Sequence, residues 1–201
     1  MLLVMKLSRD VAYRLMTEWT ESEGLRKHML SVEVAVKAYA RERGAPEEIW
    51  GIAALLHDYD YERYPIADGE CQKGHPYIGV ANLQTLGYPK LITDAILGHA
   101  DYTGVERTSD LAKVLYACDE ITGLITAAVL VRPDKDIANQ TLKSLKKKFK
   151  DKGFARGVVR DDVRRGAEEL GLELWEHVEF VLKAMQAKAA ELGLDGSLIQ
   201  K

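Results

Sequence analysis

Apolar residues recur at steps of three and four along most of this 201-residue chain, and residues that start and stop helices bracket each run. Such a period marks amphipathic α-helices, because 3.6 residues per turn bring these positions onto one face. Ser8 can cap a helix to about Thr20 that carries Val11, Leu15 and Trp19. A second helix is expected over residues 23–43, with Leu25, Met29, Val32, Val36 and Tyr39 as its stripe and Gly44 as its stop. Pro46 opens a third, with Glu47 and Glu48 in the first turn and Ile49, Ile52, Ala53 and Leu56 leading into His57-Asp58. Helices resume after Pro76 and after Pro89, and Ser109 caps another through Leu111, Val114, Leu115 and Cys118 toward Ile121. Residues 59–75 and 100–108 have no clean period and read as loops. Residues 124–131 are the only strand-like run, and a buried helix explains them nearly as well. One amphipathic helix is expected over 134–150, with Ile137, Leu142, Leu145 and Phe149 on its apolar side. A last helical region covers about 161–192 and breaks near Gly171. The expected fold class is all-α, a compact bundle of roughly eight to ten helices. No repeat or low-complexity linker interrupts it, so residues 1–201 are expected to form a single domain.

Charge and composition narrow the function. Lys plus Arg is 28 and Asp plus Glu is 31, a formal net charge of −3, which argues against a dedicated nucleic-acid binder. The apolar start Met1–Met5 is followed at once by Lys6, Arg9 and Asp10, too short for a signal-peptide core or a membrane span, and no later stretch is long and uncharged enough. Two cysteines, Cys71 and Cys118, cannot build a framework of several bridges and read as reduced thiols, so the expected location is the cytoplasm. There is no dinucleotide-binding glycine fingerprint, Walker A loop, nucleophile elbow or C-x-x-C. Asp134-x-Asp136 lacks the glycine and glutamate of a calcium loop.

The chemistry concentrates in His28, His57-Asp58, His75, His99 and Asp119, each on an expected helix or at a helix end. His28 shares a face with Leu25 and Val32, and Asp119 closes the stripe of Leu111, Leu115 and Cys118. Taken singly, a core-facing histidine is more often hydrogen-bonded in place than a ligand. Four of the five histidines and two aspartates fall within 92 residues, however, and buried imidazoles and carboxylates need partners. A metal centre would satisfy them together, and imidazole with carboxylate suits Fe, Mn, Zn or Co.

With these residues in place, the chain resembles the HD-domain superfamily of metal-dependent phosphohydrolases. His28, the doublet in AALLHDYD and Asp119 in LAKVLYACDEITGL match its H…HD…D signature. The segment GHPYIGVANL, with His75, looks like the H-P-x-I-G stretch of its HDIG type, and ITDAILGHADYTG, with His99, looks like its second-metal segment. The resemblance covers about residues 20–131 and leaves 134–192 as a helical extension. It implies that His28, His57, Asp58 and Asp119 hold one divalent metal ion, and that His75, His99 and a bridging Asp58 hold a second. Two such cations acidify a bridging water and clamp the attacking and leaving oxygens of an in-line displacement. The implied activity is hydrolysis of a phosphoester or phosphoanhydride of a nucleotide or other small phosphorylated substrate by that bridging hydroxide, with no nucleic-acid or membrane partner. His99-Ala100 stands where cyclic-dinucleotide phosphodiesterases of the superfamily carry a doubled histidine, the glycine-tyrosine-proline signature is absent from Asp101-Tyr102-Thr103-Gly104, and Tyr61 replaces a common lysine, so that subtype is disfavoured. The same ligand set also serves diiron oxygenases of this fold, and a non-catalytic metal-stabilised module is the third reading.

Other residues carry weaker expectations. Lys113, six residues before Asp119, is a candidate catalytic contact to a substrate phosphate beside Asp58. Asp60 and Asp101 each lie two residues from a proposed ligand and could orient it from behind or donate a proton, and Arg107 could bind a phosphate bidentately; as loop residues all three are more often solvated, and that is the expectation. Lys143, Lys146, Lys147 and Lys150 form a basic stripe, ordinarily the wet face of a helix and otherwise an electrostatic funnel for an anion. His177 is given no function.

Overall fold

The computed structural model describes residues 7–66 and 71–199; the Met1–Met5 run and the middle of the 59–75 loop lie outside the described residues, as does the Cys71 side chain. Ten α-helices and no strand occur among the described residues, as an all-α chain requires. The chain divides into two compact units, residues to Tyr116 and residues from Ala117.

In the first unit, Ser8 caps α1 (Arg9–Trp19) by accepting from the Val11 amide at 3.4 Å, and Ser22 caps α2 (Glu23–Glu42) through Leu25. After the left-handed turn at Gly44, α3 (Glu47–Leu56) begins behind Pro46. Every residue from Trp50 to Leu56 is buried, because α3 packs on α2, α1 and α5 (Lys90–Gly98) at once. A helix that is apolar all round belongs in a core. Full burial of Leu55 and Leu56 stabilises by about 1.5–3 kcal/mol each relative to exposure. The consequence for function is positional: the helix at the centre of this unit ends on His57-Asp58. α4 (Tyr77–Thr85) packs on α5, and α6 (Asp110–Leu130) starts where Ser109 accepts from the Ala112 amide. Between α1 and α2, Arg9 grips the buried Glu33 with two hydrogen bonds of 2.6 and 2.8 Å.

The second unit contains the rest of α6, which settles the strand-like run: residues 124–130 are helix, buried on one side at Leu124, Ile125, Ala128 and Val129. The single helix expected over 134–150 is corrected. Lys135 turns to a positive φ of 46°, Asp136 accepts from the Ala138 amide, and a 3-10 turn over Ile137–Asn139 ends before Thr141 caps α7 (Leu142–Lys150). Two capping side chains compete with continued helix and win. The C-terminal region breaks at Gly171, φ 70°, into α8 (Arg160–Glu169) and α9 (Leu174–Gln186), and α10 (Ala189–Leu192) follows. α9 packs on α7, α8 and α10. No helix of the described residues is long and apolar enough to cross a membrane.

Candidate metal centre

His57 and Asp58 leave the end of α3 in a tight turn, so both side chains stay at the core they came from. His57 is fully buried, and its Nδ1 faces the Ala54 carbonyl at 2.7 Å. A carbonyl only accepts, so Nδ1 carries the proton and Nε2 presents a lone pair. The same logic fixes two more rings. His75 Nδ1 donates to Asp60 Oδ1 at 2.7 Å, and His99 Nδ1, at the end of α5, donates to the Ile96 carbonyl. In each case the anchored nitrogen dictates which nitrogen is left to bind.

The opposite ring nitrogens converge on Asp58. Its Oδ1 lies 3.3 Å from His75 Nε2 and 3.4 Å from His99 Nε2. Its Oδ2 lies 3.4 Å from His57 Nε2 and 3.7 Å from His28 Nε2 on α2. One carboxylate thus addresses two pairs of imidazoles with its two oxygens. His75 Nε2 and His99 Nε2 are only 3.2 Å apart. Two lone pairs at that distance repel unless a cation lies between them. Donors about 2.1 Å from a common ion stand about 3.0–3.4 Å from each other, so the spacing fits a shared metal. Donor atoms of Asp58, His75 and His99 all lie within 4.8 Å of one another. Asp119 is carried on α6, within the second unit. Burial acts to raise the Asp58 carboxyl, but the flanking His57 and His99 rings outweigh it and hold the group well below the ordinary carboxylate range.

Asp60 corrects the expectation of solvation. It is buried, and while Oδ1 holds His75, Oδ2 accepts from the Gly79 amide at 2.6 Å. Tyr59, from the same turn, donates its phenol to the Gly79 carbonyl at 2.7 Å. Burial raises the Tyr59 phenol above its ordinary value and keeps it a donor. The two side chains clamp both sides of Gly79, whose missing Cβ would meet Asp60 Cγ at 2.7 Å and Tyr59 Cε1 at 2.8 Å. This is the carboxylate–imidazole support that orients metal-binding histidines. Its one trace in the sequence is Tyr59-Asp60 directly after the doublet with a glycine four residues after His75.

The remaining expectations fare differently. Arg107 is also corrected: its side chain is only 10% exposed, it lies 3.7 Å over the Tyr116 ring, and it donates to the Gly98 carbonyl and to Asp101 at 2.8 Å. Asp101 is half exposed but engaged by Arg107 and by the Tyr116 phenol rather than simply solvated. Lys113 lies half-buried on α6, about 9 Å of helical rise from Asp119. Two half-exposed tyrosines touch His75: Tyr61 sits edge-on at 5.2 Å between centroids, and Tyr102 donates to the His75 carbonyl.

The HD domain family matches residues 25–124, which contain all six proposed ligands. Through that segment the chain belongs to the HD-domain superfamily, a superfamily of metal-dependent phosphohydrolases. No curated protein and no solved structure matches the chain.

Proposed function

We propose that the protein is a two-metal phosphohydrolase that cleaves a phosphoester or phosphoanhydride of a nucleotide or another small phosphorylated substrate. The observation that carries this reading is Asp58 turning one oxygen to His75 and His99 and the other to His28 and His57, with each anchored imidazole leaving Nε2 for a cation. His28, His57, Asp58 and Asp119 would hold one divalent ion, and Asp58, His75 and His99 the second, drawn from Fe, Mn, Co or Zn. Bound there, such ions would lower the pKa of a water and neutralise phosphoryl oxygens.

The chain's own residues supply placement. Asp60 and the Ala54 and Ile96 carbonyls fix the imidazoles before substrate arrives, so little reorganisation is left for the reaction. Lys113 would contact a phosphoryl oxygen as a point charge. The six-donor set supports the HDIG-type, dinuclear reading over a mononuclear one. The test is phosphate release from a panel of nucleotides and small phosphoesters with Mn²⁺, Co²⁺ or Fe²⁺. Release that falls by at least about a hundredfold in both His57→Ala and Asp58→Ala is the expected result. Absence of turnover with every metal, together with oxygen consumption by an iron-loaded protein, overturns it in favour of an oxygenase.

A further inference from the structure

The basic stripe on α7 belongs to none of the chemistry above, and its charge is concentrated. Residues 142–160 carry eight lysines and arginines against a single acid, Asp151, within a chain of net charge −3. The apolar side of α7 is spent in the core, where Leu145 and Phe149 are buried and Phe149 meets Trp175 edge-on. The lysines therefore do not belong to a face free to enter a membrane. They line a hollow instead.

Ser144, Lys147, Lys148, Lys150, Asp151 and Phe154 line a half-open hollow of about 470 Å³. That volume falls within the range of about 300–1,000 Å³ typical of small-molecule sites. Among the described residues, Lys147, Lys148 and Lys150 form no ion pair. Lys148 Nζ instead stands 4.3 Å over the Phe154 ring. The one carboxylate at the rim is occupied, since Asp151 Oδ1 accepts from the Gly153 amide at 2.8 Å.

The wall that follows α7 is built, not loose. Arg160 gathers four backbone carbonyls with one guanidinium, donating to Asp151, Phe154, Ala155 and Val158. Ala155 is held at a φ of 44°, a left-handed conformation unfavourable for a residue with a side chain. Conformations of that kind persist where surrounding contacts enforce them and are common at ligand sites. Three lysines that form no ion pair, against one carboxylate, thus line a half-open hollow beside a hydroxyl and an aromatic ring.

We propose that this hollow binds a small polyphosphate group, two or more linked phosphates, either free or as the tail of a nucleotide. Lys147, Lys148 and Lys150 meet the charge, Ser144 offers a hydroxyl, and Phe154 offers a surface for a base where there is one. Concavity and small size favour this ligand over a nucleic-acid strand or an acidic membrane, each of which asks for an extended basic surface. None of its residues is a proposed metal ligand, and the proposal does not rest on the hydrolase reading.

The test is lysine acetylation footprinting of the full-length, metal-loaded protein, read by mass spectrometry at each lysine. Tripolyphosphate is compared with sodium chloride at matched ionic strength, so that general screening cancels. Selective slowing at Lys147, Lys148 and Lys150, with the exposed Lys90 and Lys183 unchanged, is the expected result. Affinity for tripolyphosphate should fall by about tenfold or more in the Lys147→Gln, Lys150→Gln double variant, whose substituted side chains are exposed and outside the metal ligands. ATP in a parallel arm separates the sources. Protection by ATP that Phe154→Leu weakens identifies a nucleotide, and equal protection by both probes identifies the phosphates alone. Uniform or absent protection, or protection only by RNA or by phosphatidylserine vesicles, overturns the proposal.

Discussion

At the scale of single residues, the centre depends on groups that never touch substrate. His75 is held by Asp60, and Asp60 fits only because Gly79 has no side chain. In Asp60→Ala the buried His75 Nδ1–H loses its acceptor and the Gly79 amide loses its partner. The expected cost is about 1–3 kcal/mol of stability for each unsatisfied group. Metal affinity at the second site should weaken by about 10–100-fold, measured by competition with a chelator. Asp60→Asn retains an acceptor for His75 and should recover part of that affinity; unchanged metal affinity in Asp60→Ala would mean that Asp60 merely fills space. The histidines that gather around Asp58 were legible in the sequence, because a histidine-aspartate doublet with further histidines at motif spacing is a local pattern. Asp60 was not legible, since nothing in the letters Tyr-Asp distinguishes a buried support from a solvated loop acid. Its role depends on α4 bringing Gly79 to it across nineteen residues.

At the scale of elements, α9 and α8 carry two tests. His177 on α9 is fully buried and donates from Nε2 to the Ala117 carbonyl at 2.8 Å. Burial pushes its pKa down from 6.5 to about 4, and the hydrogen bond only partly opposes this. The unfolded chain binds a proton below pH 6.5 that the folded chain refuses until about pH 4. Stability associated with His177 is therefore present above pH 6.5 and lost as pH falls toward 4, by about 3 kcal/mol in all. Urea unfolding at pH 7 and pH 5 should show a smaller acid loss in His177→Gln than in the parent; an equal loss would place the acid sensitivity elsewhere. On α8, a Cβ at Gly166 would stand 2.6 Å from the Ala117 Cα, which is backbone and cannot swing aside. Gly166→Ala should destabilise by about 1–3 kcal/mol in thermal unfolding, whereas an unchanged Tm would mean that the two helices separate at no cost. Helix periodicity and caps placed most elements, including the break at Gly171. The helix over 134–150 was misjudged because its apolar spacing continues across the turn, while the competing caps at Asp136 and Thr141 act through side-chain hydrogen bonds that periodicity does not register.

At the scale of the whole molecule, the architecture explains why the centre lies where it does. α3, buried from Trp50 to its end, delivers His57-Asp58 to the core of the first unit, α2 brings His28, the turn before α4 brings His75, and α5 ends on His99. Fold class was legible because helical period runs through nearly the whole sequence; the division near Tyr116 was not, because it falls inside the continuous helix α6 and leaves no linker composition. The account stands or falls on two cations sharing Asp58. Elemental analysis of the purified chain measures that directly. It predicts about two equivalents of divalent metal per chain, and about one in both His75→Ala and His99→Ala. One equivalent in the parent, unchanged in both variants, would contradict it.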